Sequence, residues 1–553
     1  MKRDDLKSVQ KSLWGGYTRP GTPASVHDCY YQCASNDPEI PQLWAYTGAL
    51  SFAPDSIVPL HVNTTVSAFD VLVYRDGAVR QEVFRQKAVK GNFHPTPKTC
   101  SVTGCDWPVA LNIEIGADWT SGAYIVELGA TALDGSVLSY NHIFFVRPND
   151  EDKKGRVLLV AATGTWMAYN DWGGSNHYEG ITGPAGDEFS PHLSFERPFA
   201  PGFVKLPSDA PRIPLRDPPK MGAEVRYPHM DWAYDNGHSK KYASAGWASY
   251  ERHYVHWLED AGYNVDIIAQ HDLQYNAEII QGYECLTFIG HDEYWSWEMR
   301  DTIDAYVEQG GNIARFAGNF LWQTRLEDKG QKQVCYKYRA REEDPVRETE
   351  NAKRTSIAWD APEVSRPGAQ TFGLSGTSGI YAGWGGCCPR GAGGFTIYRP
   401  EHWAFKGCDI YYGDVLGAPS RIFGYEVDGV DYIIKNGLPF AAGTDGAPDN
   451  LLILAVGLAT LLEEDHGNEH TIFIGSEDAE FAAKALYGTA TPENIDRCKR
   501  GAGMIAFFER GQGSVFTAGT CEWVAGLIDR DPQVVQVTKN VLNRFLDPGT
   551  LLR

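Results

Sequence analysis

The run RVLLVAATG, beginning at Arg156, constrains the fold more than any other stretch of the chain. It has the length of a strand and no polar face, so both faces must be covered, as in a parallel sheet with helices on either side. NVDIIAQ, ECLTFIG and NIARFAGN repeat the type, and the intervening YERHYVHWLEDAGY and MRDTIDAYVEQGG carry helical periodicity, the second with a glycine stop. Residues 151–553 therefore read as a layered α/β domain. A loop-rich insertion occupies about 330–420, densest in glycine at GLSGTSGIYAGWGGCCPRGAGG and returning to pattern at GYEVDG. Near the end, HTIFIGS reads as a strand, MIAFFERGQGSVFTAGT as a hairpin and VVQVTKNVLNRFL as an amphipathic closing helix.

Upstream of Gly155 the patterning differs. IVPLHVNTT, FDVLVYRDG, VALNIEIG, GAYIVELGA and HIFFVRP alternate every second residue and are separated by Gly, Pro, Asp and Asn. Residues 43–150 thus predict a β-sandwich of immunoglobulin or fibronectin type, preceded by an extension over 1–42. A chain of 553 residues exceeds what one core supports, which agrees with more than one domain.

Charge narrows the partners. With 71 acidic against 50 basic residues and a net charge of −21, the protein repels phosphate backbones and anionic membranes, so neither nucleic acid nor membrane is expected. The amino terminus lacks the apolar core of a signal peptide, and the longest apolar run, LLILAVGLATLL, is too short to span a bilayer. A cytoplasmic location is expected. None of the 11 cysteines forms a Cys-x-x-Cys pair, so they read as buried thiols.

No Gly-x-Ser-x-Gly, Gly-x-x-x-x-Gly-Lys or His-Glu-x-x-His motif is present. Ligands of open α/β sheets bind beyond the carboxyl ends of the strands, and the residues there are Tyr169 and Tyr178, then His291, Asp292 and Glu293, then Asn319. Class I glutamine amidotransferases, which have a similar sheet, carry a nucleophilic cysteine where Asn319 stands, and an asparagine cannot serve that way. Two phenols and a carboxylate are hard oxygen donors, suited to ferric iron more than to zinc. A bound cation lowers tyrosine pKa values from about 10, making phenolates available near neutrality. Each residue also has a plain reading: the tyrosines as packing, His291 and the acids as caps of the following helix, Asn319 as a turn, Glu426 of GYEVDG as an exposed strand carboxylate.

Taken in order, TWMAYNDWGG with SNHYEG, GHDEYWSWEMR, GGNIARFAGN, GYEVDG, GMIAFFERGQGSVFTAGTCEW and NVLNRFLDP resemble the large (beta) subunits of the N,N-dimethylformamidase family, from about Leu43 to the end. The resemblance implies a class I glutamine-amidotransferase-like α/β domain behind β-rich modules, and a mononuclear iron, ferric, held by two tyrosines and a glutamate. Carried onto this chain, it makes Glu293, Tyr169 and Tyr178 the metal ligands, with Tyr227 and Tyr254 as alternatives to Tyr178. His291 becomes the general base or a partner of the ligands, Asn319 a donor to the substrate carbonyl and Glu426 a proton carrier for the departing amine. The implied reaction is hydrolysis of a small N-substituted amide to a carboxylate, formate for a formamide, and an amine. A small partner subunit and a homo-oligomer are the implied assembly. The laminin-G-like module of the long large subunits is not apparent. The rival readings are a non-catalytic ligand- or sugar-binding protein on the same scaffold and a metal hydrolase of other substrates.

Overall fold

The computed structural model describes residues 32–149, 153–178, 190–213, 228–381, 393–460, 476–498 and 500–547. The chain is mixed α/β with a β-rich amino-terminal part. There, Leu43–Thr47, Ile57–Thr64 and Val109–Glu114 form a three-stranded antiparallel sheet. Ser51–Phe52, Val137–Val146, Gly122–Thr131, Ala68–Arg75 and Gln81–Lys90, in that order, form a five-stranded one. Alternation does the work: Val58, Leu60 and Val62 are buried and Ile57 is exposed, and they share a core with Val71, Val73, Val126 and Phe144 of the other sheet.

Two strands of this region escape the alternation pattern. Leu43–Thr47 is buried along most of its length. Gln81–Lys90 is a charged, mostly exposed and twice-bulged edge strand, where lysine and arginine discourage further pairing.

A nine-stranded sheet organises the rest. In chain order the strands needed below are β1 (Arg156–Ala161), β2 (Asn264–Ala269), β3 (Cys285–His291), β4 (Asn312–Gly318), β5 (Phe395–Ile397), β6 (Val415–Leu416), β7 (Glu426–Gly429), β8 (Leu452–Thr460), β9 (Arg500–Arg510) and β10 (Gly513–Ala518). The spatial order is β2-β1-β3-β4-β10-β9-β8-β5-β6, with β7 outside it. The first five are parallel and the remainder antiparallel. β1 and β3 are buried on both faces, as their apolar runs require. The run LLILAVGLATLL contributes β8, whereas residues 470–475 of HTIFIGS lie outside the described residues and Ser476 opens a helix.

Four helices matter for the site: α1 (Thr163–Tyr169), α2 (Glu251–Asp260), α3 (Trp297–Glu308) and α4 (Pro532–Leu546). α3 starts at Ser296, whose hydroxyl accepts from the Met299 amide, and α4 at Asp531, whose carboxylate accepts from Gln533 and Val534. α4 buries Val534, Val537, Val541, Leu542 and Phe545, one stripe at helical spacing. Among the described residues no helix is long and apolar enough to cross a membrane.

Candidate active site

Four strand ends meet. α1 follows β1 directly and carries Tyr169 at its last turn; β3 ends in His291 with Asp292 and Glu293 next; β4 is followed by Asn319; β7 begins with Glu426. Glycine makes the approach possible. A Cβ on Gly318 would stand 2.6 Å from the Cys521 amide nitrogen and 2.7 Å from the Glu426 carbonyl, so β4, β7 and the turn after β10 could not otherwise come together. Asn319 has φ +62°, a left-handed conformation that asparagine tolerates better than most residues and that here turns the chain at the strand end.

The side chains form one buried network. The Tyr178 hydroxyl lies 2.8 Å from each Glu293 oxygen and donates to that carboxylate, which also accepts from Trp322 Nε1 at 2.7 Å. The Glu293 amide donates to Thr165 Oγ1 in α1 at 2.8 Å, fixing the loop after β3 to the first helix. His291 Nε2 stands 2.8 Å from Glu426 and 3.2 Å from Glu293. Asn319 Nδ2 donates to Glu426 at 2.8 Å. On the far side of the imidazole, Nδ1 donates to the Ser244 carbonyl at 2.7 Å, with the Tyr425 hydroxyl 2.8 Å away. The Tyr169 ring lies 4.5 Å from that of Tyr178 and 5.1 Å from that of His291.

Electrostatics follow from burial and from these pairings. Burial alone would depress His291, but Glu426 and Glu293 outweigh it and push its pKa up to about 10. Burial raises Glu426, against the pull of His291. Glu293 is held below the usual carboxylate range although burial opposes it, because His291 and then Lys337 favour its charge. Burial, followed by the charge of Glu293, lifts both Tyr169 and Tyr178 well above 10. Lys337 is fully buried with no hydrogen-bond partner for Nζ, which sits 3.1 Å from the centre of the Tyr178 ring; burial depresses its pKa to about 7.

Residues 67–535 match the family described as N,N-dimethylformamidase beta subunit-like, C-terminal. The chain belongs to this family. Two relatives are named N,N-dimethylformamidase beta subunit. One, from Alcaligenes sp, is 25% identical over 320 residues, covering 53% of this chain and 36% of its own length. The other, from Paracoccus aminophilus, is 24% identical over 328 residues, covering 54% of this chain and 37% of its own length. The chain therefore spans little more than a third of the relatives it matches. A solved structure of murine CRIg covers 20% of this chain with a TM-score of 0.14 and 13% identity, too slight a likeness to bear on the fold.

In this member of the dimethylformamidase beta-subunit-like family, Tyr169, Tyr178, His291, Glu293, Asn319 and Glu426 all fall in one cluster. Glu426 is 3% exposed, which removes its reading as a surface carboxylate. Asp292 turns away and serves the scaffold, accepting from Trp295 Nε1 at 2.8 Å and facing Arg315 at 3.4 Å. Tyr254 is also elsewhere: its hydroxyl meets Thr287 Oγ1 at 2.8 Å and its ring packs on Phe316, so it is no alternative to Tyr178. Tyr227 lies outside the described residues. Trp322, Lys337, Tyr425, Ser244 and Cys521 are site residues that the sequence did not single out. Tyr425 adjoins Glu426 and could have been found from that neighbour; Lys337 sits in the loop-rich insertion with no local signal.

The donor set fits a trivalent cation. Two phenolates and one carboxylate sum to three negative charges, which ferric iron would balance among its own ligands. In the absence of a cation the phenols keep their protons, as their raised pKa values indicate.

Proposed function

We propose that the chain hydrolyses a small N-substituted amide of the N,N-dimethylformamide type at a mononuclear ferric iron held by Tyr169, Tyr178 and Glu293, releasing a carboxylate, formate for a formamide, and an amine. The observation that carries this reading is the hydrogen-bonded Tyr178–Glu293 pair, with the Tyr169 ring packed on Tyr178, beside a His291–Glu426 pair and the Asn319 amide in one buried cluster. Family membership and the name shared by both relatives support it.

When bound, the iron would supply Lewis acidity toward the amide carbonyl and the attacking water. The chain's own residues do the rest. Asn319 Nδ2 leaves Glu426 and donates to the carbonyl oxygen as negative charge develops there. Glu426, freed of that bond, takes a proton from the water. His291, held in orientation by the Ser244 carbonyl, gives the proton on Nε2 to the departing nitrogen and recovers it from Glu426. Across the cycle one water is consumed: its oxygen ends in the acid, one of its protons goes to the amine through Glu426 and His291, and the other leaves when the acid ionises to the carboxylate. Lys337, over the Tyr178 ring, favours the anionic form of that ligand.

We further infer that β1 to β4 and β10 share the layering of class I glutamine amidotransferases, with Asn319 at the turn where those enzymes place their nucleophile. In the same proposal, the β-sandwich expected over 43–150 is the module in front of it. A smaller companion subunit is part of the same proposal, drawn from the beta-subunit names of the relatives.

The test is iron content, visible absorption and formate release from N,N-dimethylformamide, measured together. The expected protein is coloured by tyrosinate-to-iron charge transfer, and Tyr178→Phe and Glu293→Gln each lose about 10- to 100-fold in iron affinity. Iron-loaded protein that releases no acid from any small amide would sink the reaction; full iron retention by both variants would sink the ligand set.

A further inference from the structure

The buried cluster contains a second set of donors of a different chemical kind. We propose that His291, Glu426 and Cys521 form a separate cation position that takes a borderline divalent ion such as zinc, and that its occupation blocks turnover. One ligand atom from each of the three lies within 4.8 Å of the others and all three residues are buried. Among the described residues this is the group of histidine, cysteine and acidic side chains whose donors close in this way.

The backbone has already arranged them. The Cys521 amide donates to the Glu426 carbonyl at 3.1 Å, which fastens the thiol beside the carboxylate. His291 Nδ1 is committed to the Ser244 carbonyl at 2.7 Å, so Nε2, 2.8 Å from Glu426, is the nitrogen left to ligate. A ligating histidine held through its other nitrogen by a backbone carbonyl is the usual arrangement in metal sites. Asn319 orients the carboxylate at 2.8 Å.

Hardness separates the two positions. Phenolate and carboxylate oxygens suit a small trivalent ion, whereas imidazole, thiolate and one carboxylate suit zinc or cobalt. Zinc bonds of about 2.0–2.3 Å place donor atoms roughly 3.5 Å apart. Thiolate ligation displaces the Cys521 proton to solvent.

The binding claim stands on this geometry alone; the block to turnover rests on the amide-hydrolase reading, because His291 and Glu426 carry its protons. The probe is cobalt(II) added to the full chain, first without iron and then iron-loaded. One equivalent is expected to bind with a thiolate-to-cobalt band in the near ultraviolet. Cys521→Ser should lose that band while keeping its circular dichroism, and Glu426→Gln should weaken binding at least about tenfold. In hydrolysis assays, zinc should inhibit the unmodified protein at concentrations about tenfold or more below those that inhibit Cys521→Ser. X-ray absorption of the zinc-loaded unmodified protein should show one sulfur neighbour, a measurement that needs no variant. No sulfur neighbour, or a cobalt band that persists in Cys521→Ser, overturns the proposal. A chain that binds cobalt as described but hydrolyses no amide would overturn the catalytic reading and leave the cation position standing.

Discussion

At the scale of single residues, the buried ammonium of Lys337 is the costliest group in the cluster. It has no hydrogen-bond partner, and Tyr178, Trp322, Tyr338 and Tyr294 surround it at 3.1, 5.0, 5.1 and 5.6 Å from their ring centres. Such a charge is tolerated where it stabilises an anion, and the anions at hand are Glu293 and the Tyr178 phenolate. Lys337→Met should therefore make the iron-free protein more heat-stable while weakening iron binding by about tenfold or more. Its charge-transfer band should move to longer wavelength, since the phenolate loses a neighbouring cation; an unmoved band would deny Lys337 this part. Asn319 invites a paired test. Asn319→Gly keeps the left-handed turn and removes only the amide, whereas Asn319→Ala adds backbone strain on the order of 1 kcal/mol. Both should lose kcat for the amide substrate by about 100-fold, and the alanine variant should also unfold earlier in urea.

At the scale of elements, one guanidinium ties together the strand ends that carry the cluster. Arg315 of β4 donates to Asp428 of β7 at 2.6 Å and faces Asp292, between His291 and Glu293, at 3.4 Å. All three are buried, so removing the arginine strands two carboxylates. Arg315→Met is expected to cost about 3–5 kcal/mol in chemical denaturation, and the loss should be smaller when Asp428→Asn is added. Glu251, at the start of α2, accepts from the Ala162 amide at 3.1 Å and from Trp166 Nε1 at 3.0 Å, clamping α2 to the junction of β1 and α1. Burial pushes its pKa up to about 7. A carboxyl whose folded pKa exceeds its unfolded one contributes stability that is complete below the unfolded value, about 4.3, and lost as pH rises through about 7. Glu251→Gln should therefore gain on the parent protein between pH 5 and pH 8, by a few kcal/mol; parallel melting curves across that range would contradict it.

At the scale of the whole molecule, the β-rich amino-terminal part is joined to the large sheet by buried polar contacts. Asp76 accepts from Trp247 Nε1 at 2.8 Å and Arg252 Nε at 3.0 Å, and meets His256 at 3.1 Å. Asp272 accepts from Ser51 at 2.6 Å and lies 3.3 Å from Arg147. These carboxylates find their partners across the junction, so the two parts should melt in one calorimetric transition. Asp76→Ala leaves a buried tryptophan N–H and the Arg252 guanidinium uncompensated, and should lower that transition or split it in two.

The sequence by itself determined strands β1 to β4, the hairpin of β9 and β10 and helices α2 to α4, because apolar runs and helical periodicity are local properties that burial can only obey; β5 and β6, inside the stretch expected to be loop-rich, gave no such signal. It also determined the candidates Tyr169, His291, Glu293 and Asn319, since residues just beyond strand ends are placed by topology. Charged edge strands such as Gln81–Lys90 gave no such signal, because a strand that buries little needs no alternation. What only the tertiary structure decided was the company these residues keep. Lys337 reaches Tyr178 from a loop more than 150 positions downstream in sequence, Ser244 and Tyr425 meet on one nitrogen of His291, and Cys521 reaches Glu426 because Gly318 lets three backbones approach. Such contacts depend on how distant segments pack, and no pattern within any one segment encodes them.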